Sequence, residues 1–291
     1  MAKTYNELYI KIKNELTGKQ IEDSAFEARI ILCSCCHKSK EELMRDMSLY
    51  TSRELEDEAV SKLNRRLRGE PLAYVVGAWE FYGLPMYVTP DVLIPRIDTE
   101  VLADAAIEIA KKNPQKLRVL DLCCGSGCIA CAVAAKLDRV NVTAGDVSEN
   151  ALDVCRENMK LNKVTGKVSP VLMDATEWPD IKRFGTFDMI ISNPPYIASG
   201  EIGNLDVSVR EYEPHLALDG GADGLDFYRS IVKRWSLALR LNGYMLLEVG
   251  EGQADAVKQL MLDEGFVAVG SRLDTIGVER VVIGKWKDKI I

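Results

Sequence analysis

From about Asp91 onward, apolar runs with strand character recur near 117–122, 140–145, 168–173, 186–192, 243–249, 266–270 and 279–286, with helix-patterned segments between most of them. That rhythm admits few folds. Strands joined through helices pair in parallel, and a parallel sheet has to be covered on both faces, so the expected class is α/β with a doubly wound sheet. The last two runs have no helix between them and should form a hairpin at the sheet edge.

The chain before Asp91 reads differently. From Tyr5 to about Leu67 apolar residues follow helical spacing at Leu8, Ile12 and Leu16, at Phe26, Ile30 and Leu32, at Leu43 and Met47, and at Leu55, Ala59 and Leu63, and no segment within that range has strand character. Pro71 ends the helical region, and Tyr74 to Val88 reads as an extended linker with a hairpin through Gly83-Leu84-Pro85. The expected organisation is a helical domain over 1–72, a linker or hairpin over 73–90 and a sheet domain over 91–291. Because the helical domain carries its own apolar stripes and none of the chemistry described below, its expected role is to dock a substrate.

Two motifs fall where strands should end. Phe187-Asp188-Met189-Ile190-Ile191-Ser192 runs into Asn193-Pro194-Pro195-Tyr196, which places the tetrapeptide at a strand's carboxyl end, where open α/β sheets bind ligands. An Asn side-chain carbonyl and the Pro194 main-chain carbonyl can each accept one hydrogen of a planar N–H₂ group. Tyr196 offers a ring against the rest of the plane, and Pro195 stiffens the loop. This is a clamp for an amino or amide nitrogen. Upstream, the strand Val119-Leu120-Asp121-Leu122 enters Cys123-Cys124-Gly125-Ser126-Gly127 and then the apolar helix from Cys128, a turn whose backbone N–H groups can approach a nucleotide-type ligand. Asp146 follows Gly127 by nineteen residues, with Val147 beside it, at the spacing of a carboxylate that takes a ribose diol.

Together, the Asp-x-x-x-Gly-Ser-Gly turn, the acidic second-strand end and Asn-Pro-Pro-Tyr resemble a class I S-adenosylmethionine-dependent methyltransferase. Arg68 to Gly77, Phe81-Tyr82-Gly83, Val92-Leu93-Ile94-Pro95-Arg96-Ile97-Asp98-Thr99-Glu100, Glu213-Pro214 and Ala217 to Leu225 narrow the resemblance to the HemK/PrmC family. It implies a Rossmann-like fold with a seven-stranded mixed sheet and an N-terminal helical bundle. It further implies methyl transfer from S-adenosylmethionine to the glutamine side-chain nitrogen in the Gly-Gly-Gln motif of peptide chain release factors. Cys123 to Gly127, Asp146, Val147, Asn193 and, after the third core strand, Asp174 and Ala175 are then expected at the cofactor. Asn193 to Tyr196, with Arg96, are expected at the substrate. Arg96 is equally explained by a salt bridge to Asp98 or Glu100, and Asp174 by a plain loop carboxylate. Two positions depart from the family pattern: Ile97 replaces a proline, and Cys123 replaces the first glycine of the turn, which is compatible with binding provided that position has no need of positive φ. The other readings are an adenine N-methyltransferase of nucleic acid, whose exocyclic amine fits the same clamp, and a catalytically silent cofactor-binding adaptor.

Composition bears on the partners. A net charge of −7 argues against tight nonspecific binding to nucleic acid. The run Lys62 to Arg68, with four cations, reads as a solvated helix face in preference to an RNA- or partner-contacting patch. The N-terminus lacks a secretory pattern and no eighteen apolar residues run together, so a cytoplasmic chain without a membrane span is expected, and its eight cysteines should be reduced thiols. Cys33, Cys35, Cys36 and His37 crowd onto one helix without a distant second pair, so no metal is expected. Glu248 reads as a buried structural acid, and Glu213 and His215 as helix or loop caps.

Overall fold

The computed structural model describes residues 2–287 and divides into two compact units, one of Met1–Ala78 with Asp206–Tyr212, the other of Trp79–Leu205 with Glu213–Ile291. The first unit is helical: Tyr5–Gly18, Ser24–Cys36, Lys40–Arg45, Arg53–Leu67 and Leu72–Val76. Thr4 and Ser39 each close a capping box with the Glu three residues on, and Ser52 caps the fourth helix, satisfying backbone donors that would otherwise be open. Leu8, Ile12 and Leu16 are fully buried and meet Ile31, Leu32, Leu43 and Leu63 in one core, each such side chain contributing about 1.5–3 kcal/mol. The second helix buries Ala28, Ile31, Leu32 and Cys35 and leaves Phe26 47% exposed, so its apolar face is rotated from the Phe26–Ile30–Leu32 stripe expected from spacing. The helix Leu72–Val76 runs on into the region from 73 where an extended linker is expected; with Pro71 just ahead of it the helix has a ready start, and it ends at Gly77 in the left-handed region.

Three of the four cations of 62–68, Lys62, Arg65 and Arg66, are engaged within this unit, while Arg68 is exposed. Arg65 pairs with Glu70 and also donates to the Tyr74 carbonyl, Arg66 grips Glu27 at 2.7 Å, and Lys62 reaches Glu58 and the Ser34 hydroxyl. The later segment Asp206–Tyr212 contains a helical turn at Val207–Arg210, and the Tyr212 hydroxyl donates to the Arg68 carbonyl at 2.9 Å.

The second unit opens with a hairpin, β1 (Ala78–Phe81) and β2 (Leu84–Tyr87), turned through Tyr82 and Gly83, both at positive φ, one position earlier than the Gly83-Leu84-Pro85 turn expected. The seven-stranded sheet follows: β3 (Leu117–Leu122), β4 (Val140–Asp146), β5 (Val168–Leu172), β6 (Phe187–Ser192), β7 (Leu239–Glu248), β8 (Phe266–Leu273) and β9 (Glu279–Trp286). The order is β5-β4-β3-β6-β7-β9-β8, parallel except for β9, which runs antiparallel to both neighbours. This is the Rossmann-like class I methyltransferase arrangement, with the edge hairpin where the missing helix put it. Strand order reverses at β3, and in open α/β sheets the crevice beyond the carboxyl ends at such a point receives ligands.

Candidate active site

Register brings the motifs together. Leu122 pairs with Gly145 on one side and Ser192 on the other, so Cys123, Asp146 and Asn193 leave three adjacent parallel strands at one level. They open onto a single cavity of about 470 Å³, lined among others by Arg96, Thr99, Cys123 to Ser126, Asp146, Val147, Asp174, Ala175, Asn193 and Pro195. A volume of that order is usual for a small-molecule site.

The turn after β3 is built from backbone conformation. Cys123, Gly125 and Gly127 all have positive φ, at +61°, +51° and +72°. Cys123 therefore does occupy the left-handed region, against the condition set on its replacing glycine, and an L residue is held there at a cost of about 1 kcal/mol. Gly127 is required twice over, since a Cβ there would run into the Cys155 sulfur as well as meeting the φ penalty. Asp121 caps the following helix, accepting from the Ala130 N–H at 2.9 Å, while its Oδ1 is buried without a partner. Burial pushes this carboxyl up to about 8.

Asp146 accepts from Gly125 N–H at 2.8 Å through Oδ2 and from Ser148 N–H at 2.9 Å through Oδ1. Each oxygen retains an acceptor site, so the residue can brace the turn and still take a diol. Burial raises its pKa, and those two backbone donors pull it back. Asp174 accepts from the Thr176 N–H and hydroxyl, and the Ala175 carbonyl takes the Ser230 hydroxyl and the Trp235 indole.

The clamp loop is built from distant side chains. Asn193 Nδ2 donates to the Thr99 hydroxyl at 3.2 Å. At the other end Gln253 Nε2 donates to the Tyr196 carbonyl at 2.9 Å. The Asp-Gly-Gly-Ala-Asp-Gly stretch packs against the same loop: Ile197 N–H bonds to Leu218 C=O and Gly220 N–H to Ile197 C=O, and a Cβ on Gly220 would stand 2.7 Å from the Tyr196 Cα. At Gly224, φ is +74° and a Cβ would strike the Tyr196 carbonyl. Tyr196 is not among the residues lining the cavity. Its ring lies partly buried against the core, and burial, with the Glu248 charge, pushes its hydroxyl up to about 12.

Two acids differ from expectation, Glu213 and Asp98, while Glu248 is buried as expected. Arg96 pairs with Glu213 and not with Asp98 or Glu100, and Glu213, 5% exposed, also accepts from the Ile94 N–H, so it ties down the extended loop that borders the cavity instead of capping a helix. Asp98 pairs with Arg280 at 3.2 Å. Glu248, 2% exposed, stands behind Asn193. Gln253 carries no motif of its own, and Thr99, though it lies within the Val92 to Glu100 stretch, has no role that its sequence neighbourhood specifies. Among the described residues no helix is long and apolar enough to cross a membrane.

Two family models match, the PrmC N-terminal domain over residues 7–77 and the Methyltransferase small domain over 99–210. The release factor glutamine methyltransferase of Geobacter sulfurreducens is 41% identical over 226 residues, covering 76% of this chain and 75% of that protein. The one from Thermodesulfovibrio yellowstonii is 36% identical, covering 88% and 91%. Among solved structures, the hMettl16 catalytic domain in complex with the MAT2A 3'UTR hairpin 6 superposes with a TM-score of 0.55 at 17% identity, over 81% of this chain and 83% of that one, a likeness of fold alone. With relatives of this identity matched along most of their length, the chain belongs to the family of release factor glutamine methyltransferases.

Proposed function

We propose that the chain transfers a methyl group from S-adenosylmethionine to the side-chain amide nitrogen of the glutamine in the Gly-Gly-Gln motif of peptide chain release factors. The observation that carries this is the meeting of the glycine turn, Asp146 and Asn193 on one cavity at the reversal of strand order. The names of the relatives support the substrate. The cavity suits the cofactor: the turn offers backbone donors, Asp146 keeps acceptor sites for a ribose diol, and Asp174 with Ala175 borders the place for a base. When bound, S-adenosylmethionine supplies an electrophilic methyl on its sulfonium.

The protein's own part is to hold and polarise a poor nucleophile. An amide nitrogen is weak because its lone pair is delocalised into the carbonyl. The Asn193 Oδ1 and the Pro194 carbonyl accept its two hydrogens, which raises electron density on nitrogen and fixes its direction of approach. Holding the reacting atoms in line accounts for much of the rate, and both bonds strengthen as nitrogen becomes cationic. Arg96, fixed by Glu213, borders the mouth. The helical unit we assign to docking the release factor, since one glutamine offers too little surface for specific recognition of a protein.

A tritiated-methyl transfer assay offering release factor, duplex DNA and RNA side by side tests the reading. Label is expected in the release factor glutamine; label in nucleic acid, or in none of the three, overturns it.

A further inference from the structure

Glu248 ends β7, and the register that pairs Ser192 with Leu247 sets it beside Asn193. It is 2% exposed and its Oε2 has no hydrogen-bond partner. Its backbone is pinned, the carbonyl accepting from the Tyr228 hydroxyl at 2.9 Å. Thr99 and Asn193 are the polar side chains that favour its charged form, and Asn193 Nδ2 donates to the Thr99 hydroxyl at 3.2 Å. An acid this deeply buried is costly to ionise and is not accounted for by packing.

We propose that Glu248 is a positioning residue that sets which way the Asn193 amide faces. An ionised carboxylate only accepts. It therefore draws the Thr99 hydroxyl hydrogen onto itself, leaves Thr99 a pure acceptor toward Asn193, and obliges Asn193 to present its Nδ2 hydrogens to both. The Asn193 Oδ1 is then turned the other way, as the acceptor that a substrate amide needs. An anion behind the amide also polarises it, so that Oδ1 accepts more strongly as positive charge grows on the nitrogen in front. A neutral acid or an amide at 248 can donate as well as accept, and the orientation is no longer dictated. This rests on the amide clamp proposed above for Asn193.

Protonation of Glu248 is the natural probe. Burial pushes it up to about 7; Thr99 on the turn before the helix Glu100–Lys111, Arg280 on β9 and Asn193 after β6 pull it down, while Asp98 pushes it up. Tyr196, Tyr228 and Cys128 face it from the clamp loop and from the helices Asp226–Ser230 and Cys128–Lys136. The amide orientation is thus enforced above neutrality and released below it.

The test is Glu248→Gln in the full chain. Methyl transfer to release factor should show kcat reduced roughly ten- to hundredfold, the scale of one charge-assisted hydrogen bond, with KM and calorimetric cofactor affinity within about twofold. The acid limb of the parent's kcat profile near neutrality should vanish in the variant. Independently of any substrate, the ¹⁵N-labelled side-chain amide of Asn193, identified by its loss in Asn193→Ala, should shift in the parent with a midpoint near neutral pH and stay still in Glu248→Gln. An unchanged kcat, or an equal fall in kcat and cofactor affinity, overturns the proposal. So does an Asn193 amide signal that ignores pH between about 6 and 8. Should the variant fail to fold, the titration of the parent signal decides. A parent that methylates no release factor defeats the substrate assignment while the titration still judges Glu248.

Discussion

The two halves of the cavity are built by different means. The cofactor turn, Cys123 to Gly127, is a matter of backbone: three positive φ values in five residues, supported by neighbours on the next strand. The amide clamp, Asn193 to Tyr196, has no positive φ, and is held by side chains and glycines from positions 99, 220, 224, 248 and 253. A turn fixed by its own conformation tolerates the loss of one contact. A loop fixed from outside depends on each support, and there geometry near the reacting atoms carries the rate.

The comparison makes graded predictions. Asn193→Ala should have the largest effect, lowering kcat by roughly a hundredfold or more while S-adenosylhomocysteine affinity measured by calorimetry changes far less, because the lost bond strengthens with charge development. Equal losses in both would erase the distinction between the two halves. Next, Asp146→Ala should weaken S-adenosylmethionine and S-adenosylhomocysteine alike by about 1.5–3 kcal/mol, with part of the loss arising in the turn that the carboxylate braces. Unchanged affinity for both would remove Asp146 from the cofactor and leave it only its bracing role.

The third prediction concerns pH. Burial raises Asp121 to about 8 and Glu248 to about 7, so between the ordinary carboxylate range and those values the folded chain holds protons that the unfolded chain has released. Their contribution to stability is full at low pH and is lost as pH rises through 7 and 8. Thermal unfolding should accordingly show stability falling by on the order of 5 kcal/mol from pH 5.5 to 8.5, and less steeply in Glu248→Gln. A flat profile in the parent would mean that both acids stay ionised. The smallest effect belongs to Cys123→Gly. Relief of positive φ, about 1 kcal/mol, is largely offset by the freedom glycine adds to the unfolded chain, so unfolding free energy should move by less than about 1 kcal/mol and cofactor affinity by less than about tenfold. A dead parent revived by this change would point to a silent cofactor-binding protein.

What could be read from the sequence follows the same division. The turn, Asp146 and Asn193 announce themselves because their chemistry is written in consecutive residues at a strand's end. All seven sheet strands are legible because each holds a short, mostly apolar stretch, although β7 begins at Leu239, ahead of its expected start, because Arg240, Asn242 and Gly243 break its apolar pattern. The supports of the clamp are separated from it by tens of residues, and nothing about Thr99, Gln253 or Glu248 in its own neighbourhood signals a partner. The Ala217 to Leu225 stretch could be recognised by resemblance, but its reason, close passage against the Tyr196 backbone, needs the fold. Arg96 found Glu213, not an acid two or four residues along, because the loop it lies on is extended and directs it across the chain. Phe26 lies off the buried face because a helix with Ala28, Cys33, Cys35 and Cys36 among its apolar residues offers more than one apolar stripe at helical spacing.

The excursion of Asp206–Tyr212 into the helical unit has a consequence for how the gene can be cut. Three peptide bonds join the two units: those after Ala78, Leu205 and Tyr212. Removing residues 1–78 strips Tyr212 of the Arg68 carbonyl it bonds and strands a stretch that begins ten residues past the Asn-Pro-Pro-Tyr loop. The helical unit is therefore not a detachable module, and a recombination event that exchanged it for another would have to carry a matching seven-residue insert in the middle of the catalytic reading frame.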